Sequence, residues 1–169
     1  MSLVGLMVPT VTVSARGADR VQSGHPWIYR ADVADVRAAA GDLVIVRGPR
    51  GRPIGWALFS DRSQISLRLL SFEASEAGED VARLLRTRIE AALAFRESLK
   101  IDATTYRLIH GEADLLPSLI VDRYRDHLVV QTLSQGMDRL LPMVTSTLSD
   151  LLQPRGILFL GPGEPVYEG

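Results

Sequence analysis

The sequence contains no cysteine and only three histidines among its 169 residues. The absence of cysteine excludes disulfide bonds, thiolate metal sites and a cysteine nucleophile, and it fits a cytoplasmic protein. His25, His110 and His127 lie far apart, and none is spaced from another histidine or an acidic residue as metal ligands are. The sequence therefore predicts no metal site.

Long apolar segments and hydrolase motifs are also missing. No apolar run reaches the roughly 20 residues of a transmembrane helix, and the N-terminus has no signal segment, so we expect no membrane association. No serine lies in a Gly-x-Ser-x-Gly elbow. Gly161-Pro162-Gly163 follows a predicted strand, but Pro165 follows it instead of a helix start with free N–H groups. We therefore predict no cofactor-binding loop there.

The composition indicates a folded globular protein with two differently charged halves. The hydrophobic fraction of 46% and the charged fraction of 23% are ordinary for a globular chain, and the length suits one large domain or two small ones. Residues 1–70 carry nine arginines against five acidic residues, or +4, whereas residues 71–169 carry ten basic against fifteen acidic residues, or −5. A polyanionic partner would meet the front half; the alternative is an ordinary solvated surface.

The front half, residues 9–72, reads as a small β-barrel of short strands. Residues 17–22 and 31–40 are each predicted to form a helical turn, and Pro49 to Arg52 a turn between strands. The predicted strands are Thr10 to Val13, Trp27 to Tyr29, Leu43 to Val46, Ile54 to Phe59 and Ile65 to Leu70.

The rear half, residues 75–160, reads as a mixed α/β domain with two main helices. Apolar residues at helical spacing predict one helix from Glu79 to Leu99, and a second is predicted from Met137 to Leu152. Arg123 to Asp126 is predicted to be a hairpin turn. The predicted strands are Tyr106 to His110, Leu119 to Asp122, His127 to Leu133 and Ile157 to Leu160.

The segment from Gly24 to Arg30 combines aromatic and cationic side chains. Pro26 favours extended geometry, so Trp27 and Tyr29 share one face of the following strand. This arrangement suits RNA, with arginines on phosphates and aromatic side chains on bases or sugars, although burial of Trp27 in the core is the favoured alternative for that residue. The predicted phosphate contacts are Arg16, Arg20, Arg30, Arg50 and Arg52, and the predicted base or sugar contacts are His25 and Trp27.

Residues 11–70 resemble a PUA domain, a small RNA-binding pseudo-barrel. They resemble in particular the copy that opens the bacterial large-subunit rRNA cytosine-5 methyltransferases. The matching stretches are Val13 to Arg20, Ser23 to Arg30, Gly41 to Val44 and Gly55 to Ala57.

The rear half resembles the central α/β domain of the same family, through Tyr106 to Asp114, Leu116-Pro117, Leu119 to Tyr124 and Leu128 to Gln131. The resemblance implies structured RNA, 23S rRNA, as partner, and neither DNA nor a membrane is expected. Family members continue into a Rossmann-like domain that binds S-adenosylmethionine and carries a nucleophilic cysteine. The expectation is that this domain is absent, that this chain binds no cofactor and has no catalytic residue, and that a full-length parent would be the methyltransferase.

Three positions depart from the family pattern, which usually has glycine where this chain has Leu115, Ser118 and Arg125. Each replacement removes a residue that tolerates positive φ, which leaves the loop and hairpin geometry open there.

Two alternatives to an RNA-binding fragment of a methyltransferase are kept. One is a self-contained RNA-binding protein, and the other is a scaffold or homodimerisation module that works through the acidic half. Residues 1–3 and 168–169 are interpreted as vector-derived, which implies a longer natural protein.

Overall fold

A computed structural model describes residues 8–73 and 80–160 of the chain. The chain divides into two compact units, with the division between residues 78 and 79. The first unit is a curled β-sheet with one helix, and the second is a mixed α/β unit with two helices, so the predicted fold class is confirmed. Among the helices of the described residues, none is long and apolar enough to cross a membrane.

The first unit contains six strands and one α-helix within residues 8–73. The helix, α1, spans Ala15–Gln22. The strands are β1 (Thr10–Val13), β2 (Trp27–Tyr29), β3 (Val33–Arg37), β4 (Leu43–Arg47), β5 (Pro53–Phe59) and β6 (Ile65–Ser71).

The six strands form one sheet in the order β2-β6-β5-β4-β1-β3. Strands β1 and β4 are parallel and the other neighbours are antiparallel. Irregularities of register in four of the antiparallel pairs give the extra local twist that curls a small sheet. The enclosed core contains Val11, Val13, Ala18, Val21, Ile28, Val44, Val46, Ala57, Phe59, Leu67 and Leu69.

Helix α1 lies close against the sheet because Gly17 has no side chain. A Cβ atom at Gly17 would lie 3.0 Å from Cβ of Val13 and 3.2 Å from Cβ of Asp32. Ser14 starts the helix as its N-cap, and Ala18 and Val21 bury the remaining inner face. The close approach positions the outer flanks of α1 next to β2 and next to the β4–β5 turn.

The prediction of a helical turn over residues 31–40 was wrong. Residues Arg30–Asp32 form a short 3-10 helix, and Val33–Arg37 form β3, which pairs with β1. Alanine-rich composition favoured a helix, but pairing with β1 offers these residues backbone hydrogen bonds that a single exposed turn could not supply. The predicted turn at residues 17–22 is the full helix α1.

The second unit contains four strands and two α-helices within residues 80–160. Helix α2 spans Val81–Ser98 and α3 spans Gln135–Leu152. The strands are β7 (Thr105–His110), β8 (Leu119–Tyr124), β9 (His127–Thr132) and β10 (Gly156–Leu160).

The second sheet has the order β10-β9-β8-β7, in which only β9 and β10 are parallel. Strand β8 continues to Tyr124, which pairs with His127, so the β8–β9 turn is the two residues Arg125 and Asp126 and is shorter than predicted. Asp80 and Ser134 cap α2 and α3. The two helices are in contact, and Leu85 of α2 and Val144 of α3 are fully buried.

The three positions at which the resemblance implies glycine have a left-handed backbone in this chain, although none of them is glycine. The φ angles are +58° at Leu115, +64° at Ser118 and +55° at Arg125. This conformation places Cβ against the carbonyl group and costs roughly 1–2 kcal/mol for a residue with a side chain. The loop geometry is therefore retained at the expense of local strain.

Ser118→Gly is expected to stabilise the second unit by about 1–2 kcal/mol. The Ser118 side chain is buried, its Oγ has no hydrogen-bond partner among the described residues, and its φ is positive. Glycine removes both the strain and the unsatisfied hydroxyl. Ser118→Ala is the control, because it removes the hydroxyl but keeps Cβ. Urea unfolding that ranks alanine level with or above glycine would contradict the strain argument.

Candidate functional site

The candidate site in the first unit is organised around the buried carboxylate of Asp32. This side chain is 2% exposed and lies at the end of the 3-10 helix. The Arg16 Nε donates a hydrogen bond to Oδ1 at 2.6 Å, and the Arg20 Nε lies 3.4 Å from Oδ2 without hydrogen-bond geometry. A buried carboxylate needs such partners, since an uncompensated buried charge is strongly destabilising.

Ser14 connects Asp32 to the start of α1. Its Oγ accepts a hydrogen bond from the N–H of Gly17 at 3.2 Å and donates one to Oδ1 of Asp32 at 3.3 Å. Its backbone N–H donates to the carbonyl oxygen of Asp32 at 2.8 Å. Ser14 therefore both caps the helix and donates a hydrogen bond to the buried carboxylate.

Arg16 and Arg20 lie one turn apart on one flank of α1, as their spacing requires. The Arg16 side chain is 67% exposed and that of Arg20 is 34% exposed. The Arg20 guanidinium carbon lies 5.1 Å from the ring centre of Tyr29, within the range of a cation–π interaction. Two cations share one carboxylate, so this flank carries one net positive charge.

Strand β2 presents Trp27 and Tyr29 on one face and Ile28 on the other. Ile28 is fully buried, whereas Trp27 and Tyr29 are half-buried. The favoured prediction that Trp27 is a core residue was therefore wrong, because the pleat directs Ile28 into the core instead. The predicted sharing of one face by Trp27 and Tyr29 is confirmed. Arg68 of β6 pairs directly with Trp27 and lies beside it on that face.

His25 is held against Trp27. Its Nδ1 lies 3.1 Å from both the N–H and the carbonyl oxygen of Trp27, and the two rings meet edge to face with centroids 6.2 Å apart. The backbone N–H of His25 donates to the carbonyl oxygen of Arg20 at 2.9 Å. The α1 flank, His25 and the aromatic face of β2 thus form one continuous surface, which we call the α1–β2 surface: Arg16, Arg20, His25, Trp27, Tyr29 and Arg68.

Arg30 follows this surface but makes contacts of its own. Its Nη2 donates to the carbonyl oxygens of Asp61 at 2.5 Å and Ser63 at 3.3 Å. These hydrogen bonds hold the β5–β6 loop, and the residue remains exposed. Arg30 therefore has a structural task in addition to the predicted one.

Arg50 and Arg52 lie elsewhere, on the exposed turn between β4 and β5, as predicted. They line an open groove of about 480 Å³ together with Asp19 and Gln22 of α1. Those α1 residues lie on the flank opposite Arg16 and Arg20. The structure therefore divides the predicted arginines into two groups on either side of one short helix.

Sequence reasoning missed Asp32, Tyr29 and Arg68 as site residues. Asp32 carried no local signal, because its partners lie 12 to 18 residues away in the sequence and meet it only through the packing of α1. Tyr29 was placed on the correct face, but its contact with Arg20 depends on tertiary structure. Arg68 could be matched with Trp27 only once the β2–β6 register was known.

In the second unit, the stretch from Tyr106 to Asp114 makes ion pairs that hold its elements together. Arg96 of α2 and Asp114 form a two-point pair at 2.5 and 2.8 Å, each about 10% exposed. Arg107 and Asp122 pair across β7 and β8, and this hydrogen bonding raises the pKa of the Arg107 guanidinium above its ordinary value. Within residues 8–73 and 80–160, no group of three or more histidine or acidic residues could hold a metal ion.

Comparison with known proteins finds matches for the first unit and for most of the chain. Residues 11–72 match a family model described as a PUA-like domain. The chain is 38% identical over 118 residues to the ribosomal RNA large subunit methyltransferase I of Tolumonas auensis, covering 68% of this chain and 29% of that protein. The Escherichia coli protein of that name is 33% identical over 144 residues, covering 82% of this chain and 36% of its own length. The chain thus spans about a third of these curated relatives.

Solved structures give the same fold. The crystal structure of a candidate methyltransferase complexed with SAH superposes with a TM-score of 0.78, covering 96% of this chain and 44% of that chain at 13% identity. A candidate SAM-dependent methyltransferase from Streptococcus mutans gives a TM-score of 0.75, with coverage of 94% and 44% at 12% identity. At these identities the likeness concerns the fold.

Asp32→Asn is expected to lower the free energy of unfolding by about 1–3 kcal/mol. The change keeps the shape of the side chain but leaves the Arg16 and Arg20 charges without a counter-ion; the exposure of Arg16 reduces the loss below that of a fully buried pair. Asp35→Asn is the control, because Asp35 and its partner Arg37 are both exposed, and it should change stability by less than about 0.5 kcal/mol. Equal urea-unfolding midpoints for the two variants would refute the central role of Asp32.

Proposed function

We propose, from the PUA-like domain at residues 11–72 and the homology of the chain to ribosomal RNA large subunit methyltransferases I, that this chain binds structured RNA through its first unit. The RNA would be large-subunit rRNA, and the chain would hold it for cytosine-5 methylation carried out by the catalytic domain of a longer parent protein. Because its RNA would be ribosomal, we propose that the protein is cytoplasmic.

The observation that carries the proposal is the α1–β2 surface. It combines the exposed Arg16 and the partly exposed Arg20 on a helix flank with half-buried aromatic rings on an adjacent strand, and the contact of Arg20 with Tyr29 joins the two. RNA recognition uses these two kinds of group together, with cations on phosphates and flat rings against unpaired bases. Arg16, Arg20 and Arg30 would take phosphates, and His25 and Trp27 would take bases or sugars.

Arg50 and Arg52 would supply a second line of phosphate contacts. Both are exposed, and the groove they share with α1 is lined by one acidic residue, Asp19, against two arginines. Because α1 separates them from Arg16 and Arg20, an RNA that reached both groups would have to pass over the helix.

The described residues do not fit S-adenosylmethionine. The parallel strands β9 and β10 are joined through α3, but the connection from β9 enters α3 directly at the N-cap Ser134 and contains no glycine-rich loop. The stretch Gly161-Pro162-Gly163 lies outside the described residues. The methyl donor and the catalytic cysteine would therefore come from the catalytic domain of the longer parent protein, as the one-third coverage of the relatives allows.

The two alternatives differ in what supports them. A self-contained RNA-binding protein would use the same surface and differs only in lacking the catalytic partner. The scaffold or homodimer alternative has no support from the relatives or from any feature of the described residues, so RNA binding is the function that we propose.

Replacing Arg50 or Arg52 by alanine is expected to weaken binding to a structured rRNA fragment without loss of stability. Each lost phosphate contact should reduce the slope of log affinity against log salt by about 0.7–0.9, whereas an exposed turn residue changes stability by less than about 0.5 kcal/mol. Fluorescence titrations at several salt concentrations and thermal melts measure the two effects.

Arg37→Ala is the matched control, because Arg37 is an exposed arginine of the same unit outside the α1–β2 surface and the groove. If Arg37→Ala weakens RNA binding as much as Arg50→Ala, the groove has no specific role. If the unaltered chain does not bind structured RNA at all, the proposed function is wrong.

The chain alone is expected neither to bind S-adenosylmethionine nor to methylate rRNA. The sequence has no cysteine to attack the base, and residues 8–73 and 80–160 offer no loop for the cofactor. Calorimetry with S-adenosylmethionine and incorporation of tritiated methyl groups into rRNA test the two parts. Micromolar binding of the cofactor, or any methyl incorporation above background, would disprove this prediction.

A further inference from the structure

A small arginine-rich cleft lies at one end of the second unit. The β8–β9 turn forms one wall and the connection from α3 to β10 forms the other. Its volume is about 90 Å³, and we call it the hairpin cleft: Arg123, Arg125, Asp126, Leu128, Leu152, Gln153, Pro154 and Arg155. Arg123 and Arg125 thus line the same cleft as Arg155, which lies about 30 positions later in the sequence.

The hairpin cleft is positive within a unit whose described residues have no net charge. Residues 80–160 contain ten basic and ten acidic side chains, which gives a net charge of zero, and the acidic surplus of the rear half comes from residues 73, 76, 79, 164 and 168. Three arginines against Asp126 give the cleft a formal charge of +2. The nearby C-terminal end of α3 offsets only about half a charge. The cleft therefore has the charge to attract an anion.

Two residues of the cleft hold strained backbones. Arg125 has φ +55° and Gln153 has φ +46°, so two of the five described non-glycine residues with positive φ line this one cleft. Glycine would relieve the strain at both positions. Side chains kept at strained positions point to a use for those side chains.

The cleft is fixed in shape before any ligand binds. The Arg123 Nε donates to the carbonyl oxygen of Arg125 at 2.8 Å, and the Arg155 N–H donates to the carbonyl oxygen of Asp126 at 2.7 Å. Arg155 reaches the Asp126 carboxylate only at 4.0 Å, and both side chains are mostly exposed. The Arg125 side chain is exposed and has no hydrogen-bond or ion-pair partner among the described residues. The cleft is therefore lined by one arginine with a free guanidinium group, Arg125, and one that is partly neutralised, Arg155.

We propose that the hairpin cleft binds a phosphate group, with Arg125 and Arg155 as its ligands and Arg123 as the residue that positions the turn. Arginine suits this task because its planar guanidinium donates two parallel hydrogen bonds to phosphate oxygens. The source of the phosphate is the backbone of the RNA that the first unit binds, so this part of the inference rests on the proposed function. The second unit then contributes a contact of its own to RNA.

The central experiment compares Arg125→Gly with Arg125→Ala in the full chain. Both variants remove the guanidinium and should weaken binding of a structured rRNA fragment about threefold to tenfold and lower the salt slope by about 0.7–0.9. Only Arg125→Gly also relieves the backbone, so its melting temperature should rise above that of Arg125→Ala. A variant that is more stable yet binds more weakly cannot be explained by damage to the fold.

Matched controls separate the cleft from general charge effects and from the first unit. Arg83→Ala removes an exposed arginine of α2 outside the cleft and should leave RNA affinity nearly unchanged. Arg155→Ala should reproduce the binding loss of Arg125→Ala. Titration of the unaltered chain with inorganic phosphate, followed by NMR of the arginine Nε–H groups, should shift the signals of Arg125 and Arg155 independently of RNA.

The outcomes distinguish this inference from the proposed function. If the unaltered chain binds the rRNA fragment but Arg125→Gly and Arg155→Ala bind it equally well, RNA is not the source of the phosphate. The proposed function of the first unit is then unaffected. Shifts with inorganic phosphate would then assign the cleft to a free phosphorylated molecule. If phosphate shifts neither arginine signal and RNA affinity is unchanged, the phosphate cleft is overturned.

Discussion

The buried carboxylate of Asp32 is the interaction on which the first unit and its candidate surface depend. The carboxylate accepts hydrogen bonds from Ser14 at the start of α1 and from Arg16, and it lies near Arg20 on the same helix flank. One side chain therefore fixes both the orientation of α1 and the positions of two cations. The close approach at Gly17 makes this geometry possible. A buried carboxylate would be unfavourable alone, and of the two arginine side chains that stabilise it, that of Arg16 is 67% exposed and that of Arg20 is 34% exposed. The residues that stabilise this unit are thus also residues of the candidate surface.

Aromatic and cationic groups are combined on the α1–β2 surface by two consecutive elements and one strand that is distant in sequence. Helix α1 supplies the arginines, β2 supplies Trp27 and Tyr29, and β6 supplies Arg68 through its register with β2. The exposed arginines of the β4–β5 turn remain apart, on the other flank of α1. A helix of eight residues therefore separates two basic regions of one small unit, and an RNA that used both would be in contact with the unit over a broad area.

Positive φ angles at residues other than glycine are a feature of the second unit. Leu115, Ser118 and Arg125 occupy positions where glycine would be unstrained, and the backbone keeps the glycine geometry at all three. The surrounding hydrogen bonds explain why: the carbonyl oxygen of Ser118 accepts from Leu133, and the N–H of Arg125 donates to Thr104. Tertiary contacts therefore impose a backbone conformation that the local residue disfavours. At Arg125 the strained residue also provides the free guanidinium of the hairpin cleft.

The sequence by itself determined the fold class, the positions of nearly all strands and helices, and the exposure of Arg50 and Arg52, because alternation, helical spacing and turn residues are local properties. It predicted that Trp27 and Tyr29 share one face of β2, but not which face is buried. Alternation along a strand leaves both orientations open, and only the packing of Ile28 in the core decides between them. It predicted a helical turn where pairing with β1 makes a strand. Only the tertiary structure decided that Asp32 joins Arg16 and Arg20, that α1 divides the arginines, and that Arg125 and Arg155 share a cleft, because each depends on contacts between residues far apart in the chain.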